Sequence, residues 1–427
     1  MYPDLLPVRQ KLWSKRVADL DGEVERLVRR SELGGRVGPG LSVAIAAGSR
    51  GVANVDRIVA AVARTVRALG GEPFVVPAMG SHGGGTAEGQ VQILAELGVT
   101  EERVGAPIRS SMETVAIGQT DDGMPVHFDR NAHAADAVVV VNRVKKHTDI
   151  TAPVESGLIK MIAIGLGKKA QADLIHAYGA PGLRKYIPEV ARIALARAPI
   201  ALGIATLENG YEETAEIHGW EPDQIEAGER RLLARNKRLL PRLPFDEIDV
   251  LIVDRMGKEI SGTGMDTNVL GRVRIAGERE LPRPSVRHVI VLDLTEASHG
   301  NAIGIGLADL TTERLVARID RRATYINGIT SGFFERAKIP ITLPTDREAV
   351  DTALERLPPE RRRAPRIARI LDTLHLDQFE ATPALIAEAR QPLEVVGPAR
   401  PLVFDGLGRI DPMRTSASAH SPLLAQR

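Results

Sequence analysis

Along this chain, short uninterrupted apolar runs alternate with longer segments whose apolar positions recur every three or four residues. That rhythm predicts buried strands separated by amphipathic helices. Leu41–Ala47, closed by Gly48, reads as a first buried strand. Val55, Ile58, Val59, Val62, Val66 and Leu69 follow at helical spacing, with Asn54 as the cap and Gly70–Gly71 as the stop. Pro73–Ala78 is a second strand. The loop Gly80-Ser81-His82-Gly83-Gly84-Gly85 comes next, then a helix from Ala87 to Leu97. Ala137–Val141, rich in β-branched residues, is a further buried strand. Gly157–Gly167 is apolar and small. Lys168–Tyr178 and Arg184–Ala196 read as helices, Ile200–Leu207 as a strand, and Asp223–Leu239 as a charged surface helix. Strand and helix alternating in this way predict an α/β fold with parallel sheet.

Pro241 and Pro244 interrupt the chain, and a domain boundary is placed near 243. Beyond it the pattern restarts with strands at Val250–Val253 and His288–Leu292, a helix at Thr311–Ile319, a strand at Ile339–Ile341 and a helix at Asp346–Leu354. The expected division is an N-terminal catalytic domain over 1–243 and a second, smaller α/β domain over 244–380. Residues 381–412 are expected to pack back on the N-terminal domain, and 413–427 to form a loose tail. The arginines between Arg361 and Arg369 read as a solvated face.

Composition narrows the function. Over 427 residues, 43% hydrophobic and 26% charged positions exclude wholesale disorder. Lys+Arg 56 against Asp+Glu 55 gives a net charge of +1, and aromatic residues make up only 3%. Neither feature supports a nucleic-acid partner. Cysteine is absent, which removes disulfides, thiolate metal sites and cysteine nucleophiles together. Met1–Lys15 has no apolar signal core and no stretch reaches the ~18 apolar residues of a membrane span, so no membrane partner and a cytoplasmic location are expected.

Two motifs fail on inspection. Gly165-Leu166-Gly167-Lys168-Lys169 lacks the first glycine and the Ser/Thr of a phosphate loop. Ala47-Gly48-Ser49-Arg50-Gly51 with His82-Gly83-Gly84-Gly85 has the parts of a serine hydrolase in the wrong chain order. More promising are three successive strand ends carrying Arg50, His82 and His147. Arginine clamps carboxylates and histidine moves protons near neutral pH. Lys160 is the one charge between Ser156 and Gly167, and an amine in such surroundings is nucleophilic; a snorkelling lysine is the plainer reading. His176 lies on the next predicted helix, able to fold back beside it.

Here the chain resembles the nickel-pincer-nucleotide-dependent lactate racemase family, most clearly over residues 41–180. The strongest part of the resemblance is Ser156-Gly157-x-x-Lys160 with His176 at the family's spacing. It implies two Rossmann-like α/β domains with the active site in the cleft between them. Lys160 is then the attachment point of the nickel-pincer nucleotide, contacted also by Ser49, Ser156 and Gly157, and His176 supplies the protein's ligand to nickel. The sulfurs holding the metal belong to the cofactor, which a cysteine-free chain requires. Gly80-Ser81-His82 matches the family's Gly-x-His loop, and His147 is the match to its second histidine; the two are the implied catalytic pair. The family's Asp-His-Thr-Arg appears as Ala47-Gly48-Ser49-Arg50. Asp266-Thr267-Asn268 resembles a family Asp-x-Asn segment, and two polar substrate residues beyond it fall at Gly271 and Arg274. Arg50 and Arg274 are the implied carboxylate contacts; Lys258, in Met256-Gly257-Lys258-Glu259, is a further substrate-binding candidate facing the cleft, with a surface loop as the plainer reading.

The implied function is an isomerase, racemising or epimerising a 2-hydroxy acid with the help of cofactor-synthesis proteins. The alternatives are a sugar acid or another reaction on the same scaffold, or a non-catalytic homologue that binds a carboxylate or nucleotide.

Overall fold

The computed structural model describes residues 2–49, 51–411 and 413; Arg50 and the tail beyond Met413 lie outside the described residues. The chain forms two compact units. Among the described residues, one is Trp13–Leu240 and the other combines residues 2–12 with 241–411 and 413.

The order of strands begins with β1 (Asp4–Gln10), β2 (Ser42–Ala47), β3 (Glu72–Pro77), β4 (Thr114–Gln119), β5 (Pro125–Asp129), β6 (Ala137–Arg143), β7 (Ile200–Glu208) and β8 (Thr214–Trp220). In the first unit the sheet order is β3-β2-β6-β7-β8, parallel except for β8, while β4 and β5 form a separate antiparallel pair. The central strands are apolar throughout because both faces are covered. Along β2, Val43, Ile45 and Ala47 feed one core and Ala44 and Ala46 the other; β3 and β6 divide in the same way. The first core packs beneath the helix Val55–Ala68 and the second beneath the segment around Leu158–Leu166. Ala47 is level with both Pro77 and Val141, so the three chains leave the sheet at one carboxyl edge.

Asn54 does begin the helix Val55–Ala68, but not as the capping side chain expected. It stands in the left-handed region (φ 59°), and its amide donates to Thr214 Oγ1 at 3.1 Å instead. The helix Ile225–Leu239 is not simply a surface helix: Glu229 and Asn236 sit on its buried face with Ile225, Leu232 and Leu233.

The second unit continues with β9 (Glu247–Val253), β10 (Ser285–Val291), β11 (Leu310–Thr312), β12 (Ile341–Leu343), β13 (Ile367–Ile370), β14 (Gln378–Ala381), β15 (Leu393–Val395) and β16 (Arg400–Pro401). The order is β12-β11-β10-β9-β13-β14-β1-β15, with β16 also on β1. The first five strands are parallel, and β14, β1 and β15 complete the sheet in antiparallel fashion. Residues 1–12 were expected in the N-terminal domain, and 381–412 packed against it. Both instead belong to the second unit, because β1 lies between β14 and β15 and buries Val8 in that unit's core.

The arginine segment also differs from expectation. Arg362 and Arg363 are exposed, but Arg366 and Arg369 are buried in ion pairs with Asp249 and Asp254. Among the described residues no helix is long and apolar enough to cross a membrane.

Candidate active site

The carboxyl edge of the first unit's sheet gathers several of the singled-out side chains. Ser49 follows β2 and His82 follows β3, and Ser49 Oγ is hydrogen-bonded to His82 Nδ1. Arg50, next in the loop, lies outside the described residues. His147 follows β6, and its Nε2 is 2.6 Å from Lys160 Nζ.

The Asp149 backbone N–H donates to His147 Nδ1 at 3.0 Å. A neutral ring accepting there carries its proton on Nε2, the nitrogen facing Lys160. The 2.6 Å contact joins that nitrogen to the Lys160 amine, the group through which a lysine acts as a nucleophile. The His147 loop is braced by buried Glu155, which accepts from the His147 N–H at 2.8 Å and the Ala152 N–H at 3.0 Å.

Lys160 ends a single helical turn, Leu158–Lys160, that runs into a π-helical segment, Met161–Gly165, and on to the helix Lys168–His176. Such π segments recur at functional sites. The turn is tied to the sheet edge by Asn142, whose amide donates to Gly157 O at 2.8 Å. The Gly80 N–H donates to Gly165 O at 3.2 Å, and a side chain at Gly48 would strike the Met161 methyl, so the Ser49 and His82 loops lie against the same segment. His176 closes the last helix. Burial lowers its ring from the ordinary histidine value, and a positive charge on Lys160 acts in the same direction. A neutral imidazole is the form that binds metal.

The structure therefore brings Lys160, His147 and His176 together, and Ser49 with His82 onto the loops beside them. Ser156 contributes its carbonyl, which accepts from Lys145 N at 2.8 Å. Lys258 and Arg274 lie in the second unit. Lys258 Nζ donates to Gly262 O at 2.7 Å and Asn327 Oδ1 at 2.9 Å; Arg274 reaches Asp309 at 3.6 Å. Gly271 has φ 70°, and a Cβ there would lie 1.7 Å from Pro284 O, so no side chain fits at that position.

Residues 23–179 match the lactate racemase N-terminal domain. Over this segment the chain is similar to lactate racemase. Its fold is similar to that of the lactate racemase apoprotein from Thermoanaerobacterium thermosaccharolyticum (TM-score 0.52, 11% identity, 86% of this chain and 94% of that one). It is also similar to a structural-genomics protein from Thermotoga maritima (TM-score 0.50, 12% identity, 77% and 82%). No curated protein sequence matches the chain.

Sequence reasoning missed the groups that hold the lysine turn in place. Glu229 is fully buried and accepts the Ile159 N–H at 2.9 Å and the Leu158 N–H, two donors that the first turn of a helix leaves unpaired. A Cβ on Gly157 would stand 2.4 Å from the Glu229 carboxyl carbon, so glycine is required for this approach. The available signal was an acid on the apolar stripe Ile225, Leu232, Leu233.

Burial pushes the Glu229 carboxyl up to about 7, against the pull of the two N–H donors. Between its ordinary value of 4.5 and 7 the folded state binds the proton that the unfolded state has released. Stability from this group is complete below 4.5 and is lost as pH rises through 7, on the order of 3 kcal/mol in all. Glu229→Gln should remove that decline. Urea unfolding of both proteins at pH 5 and pH 8 measures it, and parallel slopes would count against the assignment.

Proposed function

We propose that this protein racemises or epimerises a 2-hydroxy acid, using a nickel-pincer nucleotide attached to Lys160. The observation that carries the reading is the 2.6 Å contact between Lys160 Nζ and His147 Nε2, on the segment that also approaches His176 and inside the matched domain.

The residues present fit such a group. The amine could form an amide with a carboxyl of the nucleotide, with loss of water, and His176 would offer a neutral ring nitrogen to a metal. Among the described residues no three His, Asp or Glu gather as a metal cage, and the chain has no cysteine. A soft metal held here would use ligands that come with the nucleotide. When bound, the group supplies a ring carbon able to take a hydride and return it.

The chain's own residues handle the proton and the carboxylate. His82 and His147 take or give the proton at the substrate hydroxyl, one for each enantiomer. Ser49 fixes the His82 ring through Nδ1. Arg50, next to Ser49, is placed by sequence to hold the carboxylate.

Two departures from the family favour an acid other than lactate: Gly271, where no side chain fits, and Gly48-Ser49, in place of a bulkier pair. The test is chiral chromatography of a panel of 2-hydroxy acids and sugar acids after incubation with protein produced alongside the cofactor-synthesis proteins. Turnover of none of them would refute the reading. His82→Ala and His147→Ala should each lower turnover at least about a hundredfold while the nucleotide stays attached. Loss of the nucleotide from either variant, seen by intact mass, would make that histidine structural.

A further inference from the structure

Most large apolar side chains of the second unit are buried, but one helix departs from that rule. The helix Arg321–Ser331 has two buried positions, Thr324 and Gly328. Thr324 Oγ1 accepts the Ala302 N–H at 3.0 Å, and a Cβ on Gly328 would stand 3.0 Å from the Ala337 Cβ. Arg322, Ile326 and Ile329 stand at i, i+4 and i+7, one row on the opposite side, and all three are exposed. The solvent face of a helix is ordinarily polar, and this one is apolar at its centre.

Ile326 is 54% exposed, Ile329 67% and Tyr325, beside them, 43%. Gly332 (φ 73°) ends the helix, and a short helical turn, Phe334–Ala337, follows. Phe333, just before that turn, is buried with Val273 and Ile275. Arg336 is also buried and donates to Val273 O at 2.9 Å. Between these two anchors Phe334 is held outward, 61% exposed. The four side chains leave about 400 Å² of largely apolar surface in one place, the size at which a bare patch on a single chain marks an interaction site.

The ends of the patch carry opposite charges. Arg322 opens the row and has no carboxylate partner among the described residues. Glu335 follows Phe334 and meets Lys338 in a solvent-exposed pair, which holds it weakly. A patch with a cation at one end, apolar residues between and an anion at the other complements itself after a half-turn. Laid antiparallel, two such helices put Ile326 of one copy against Ile329 of the other. Each Arg322 then meets the Phe334–Glu335 end of the second copy. Homodimer interfaces are about 65% apolar, so about 400 Å² of apolar surface per copy corresponds to about 1,200 Å² buried in all, the lower limit of a specific interface.

We propose that this face of the second unit is a homodimer interface, isologous about a twofold axis, with Ile326 and Ile329 at its centre and Arg322 paired with Glu335 of the second copy at each end. The inference is independent of Lys160 and of any substrate.

Sedimentation velocity of the full chain, from about 1 to about 100 µM, is the test. The mean mass should rise from that of one chain towards twice that. Ile329→Glu, at an exposed position, should keep the parent circular dichroism and raise the concentration of half-association at least about a hundredfold, since each dimer loses the contact twice. Arg322→Glu should raise it about tenfold by setting two acids together at each end, and adding Glu335→Arg should restore it. A chain that stays monomeric at about 100 µM, whether or not another protein binds this face, overturns the proposal. So does a dimer that Ile329→Glu leaves intact, or an Arg322→Glu loss that Glu335→Arg does not repair.

Discussion

On the proposed function, Lys160→Ala should give a folded protein that carries no nucleotide, holds no nickel and has lost turnover at least about a thousandfold, because the proposed cofactor would supply the hydride chemistry. The attachment needs a primary amine, so Lys160→Arg, which keeps the charge, should fail in the same way. His176→Ala should behave differently, keeping the organic adduct while losing most of the metal. Stability should change little in Lys160→Ala, because Lys160 is only partly buried. Intact mass, nickel analysis and chiral chromatography on the three variants separate these outcomes. Turnover that survives in Lys160→Ala would refute covalent attachment.

The largest effect on stability should come from Lys168→Met. Lys168 is fully buried and in the left-handed region (φ 54°), a conformation that costs a non-glycine residue about 1 kcal/mol or more. Its ammonium reaches Pro77 O at 2.6 Å, Gln90 Oε1 at 3.0 Å and Asp129 Oδ2 at 3.1 Å. Burial holds Lys168 below the ordinary lysine range, with Asp129 opposing. Methionine fills similar volume but leaves Asp129 as an uncompensated buried charge, at a cost of about 3–5 kcal/mol. That is a large share of the ~5–15 kcal/mol typical of a folded domain.

The loss should reach the candidate site. Gln90, held by Lys168, donates to Gly80 O at 2.9 Å and His82 O at 3.3 Å, so amide exchange at residues 80–82 should quicken. Adding Asp129→Asn to Lys168→Met removes the stranded charge and should restore much of the stability. A Lys168→Met protein as stable as the parent in urea, or a double variant no better than the single, would contradict the account.

How far the sequence reached follows from what each feature depends on. The strands Ser42–Ala47, Glu72–Pro77 and Ala137–Arg143 announce themselves because both faces are buried and the apolar run is unbroken. By contrast β1, with Asp4, Pro7 and Arg9, carries no such run, and its place between β14 and β15 depends on partners more than 360 residues away. The strands β4 and β8 are half-exposed, which breaks the alternation that would mark them.

The candidate site divides along similar lines. Lys160, His82 and His147 could be picked out by local context: a lone charge in an apolar segment, and histidines at strand ends. Glu229, Lys168 with Gln90 and Asp129, and Arg255 with Asp372 in the second unit could not. Each includes a polar contact across 70 or more positions, Ile159 to Glu229, Gln90 to Lys168 and Arg255 to Asp372, and a buried charge reads in sequence like any other charge.

The measurement closest to the central claim is the intact mass, peptide map and nickel content of the unsubstituted protein, produced together with the cofactor-synthesis proteins. The account predicts a nucleotide-sized adduct on the peptide containing Lys160 and about one nickel per chain. An unmodified Lys160 peptide with no bound nickel, from cells in which the cofactor is being made, would contradict it.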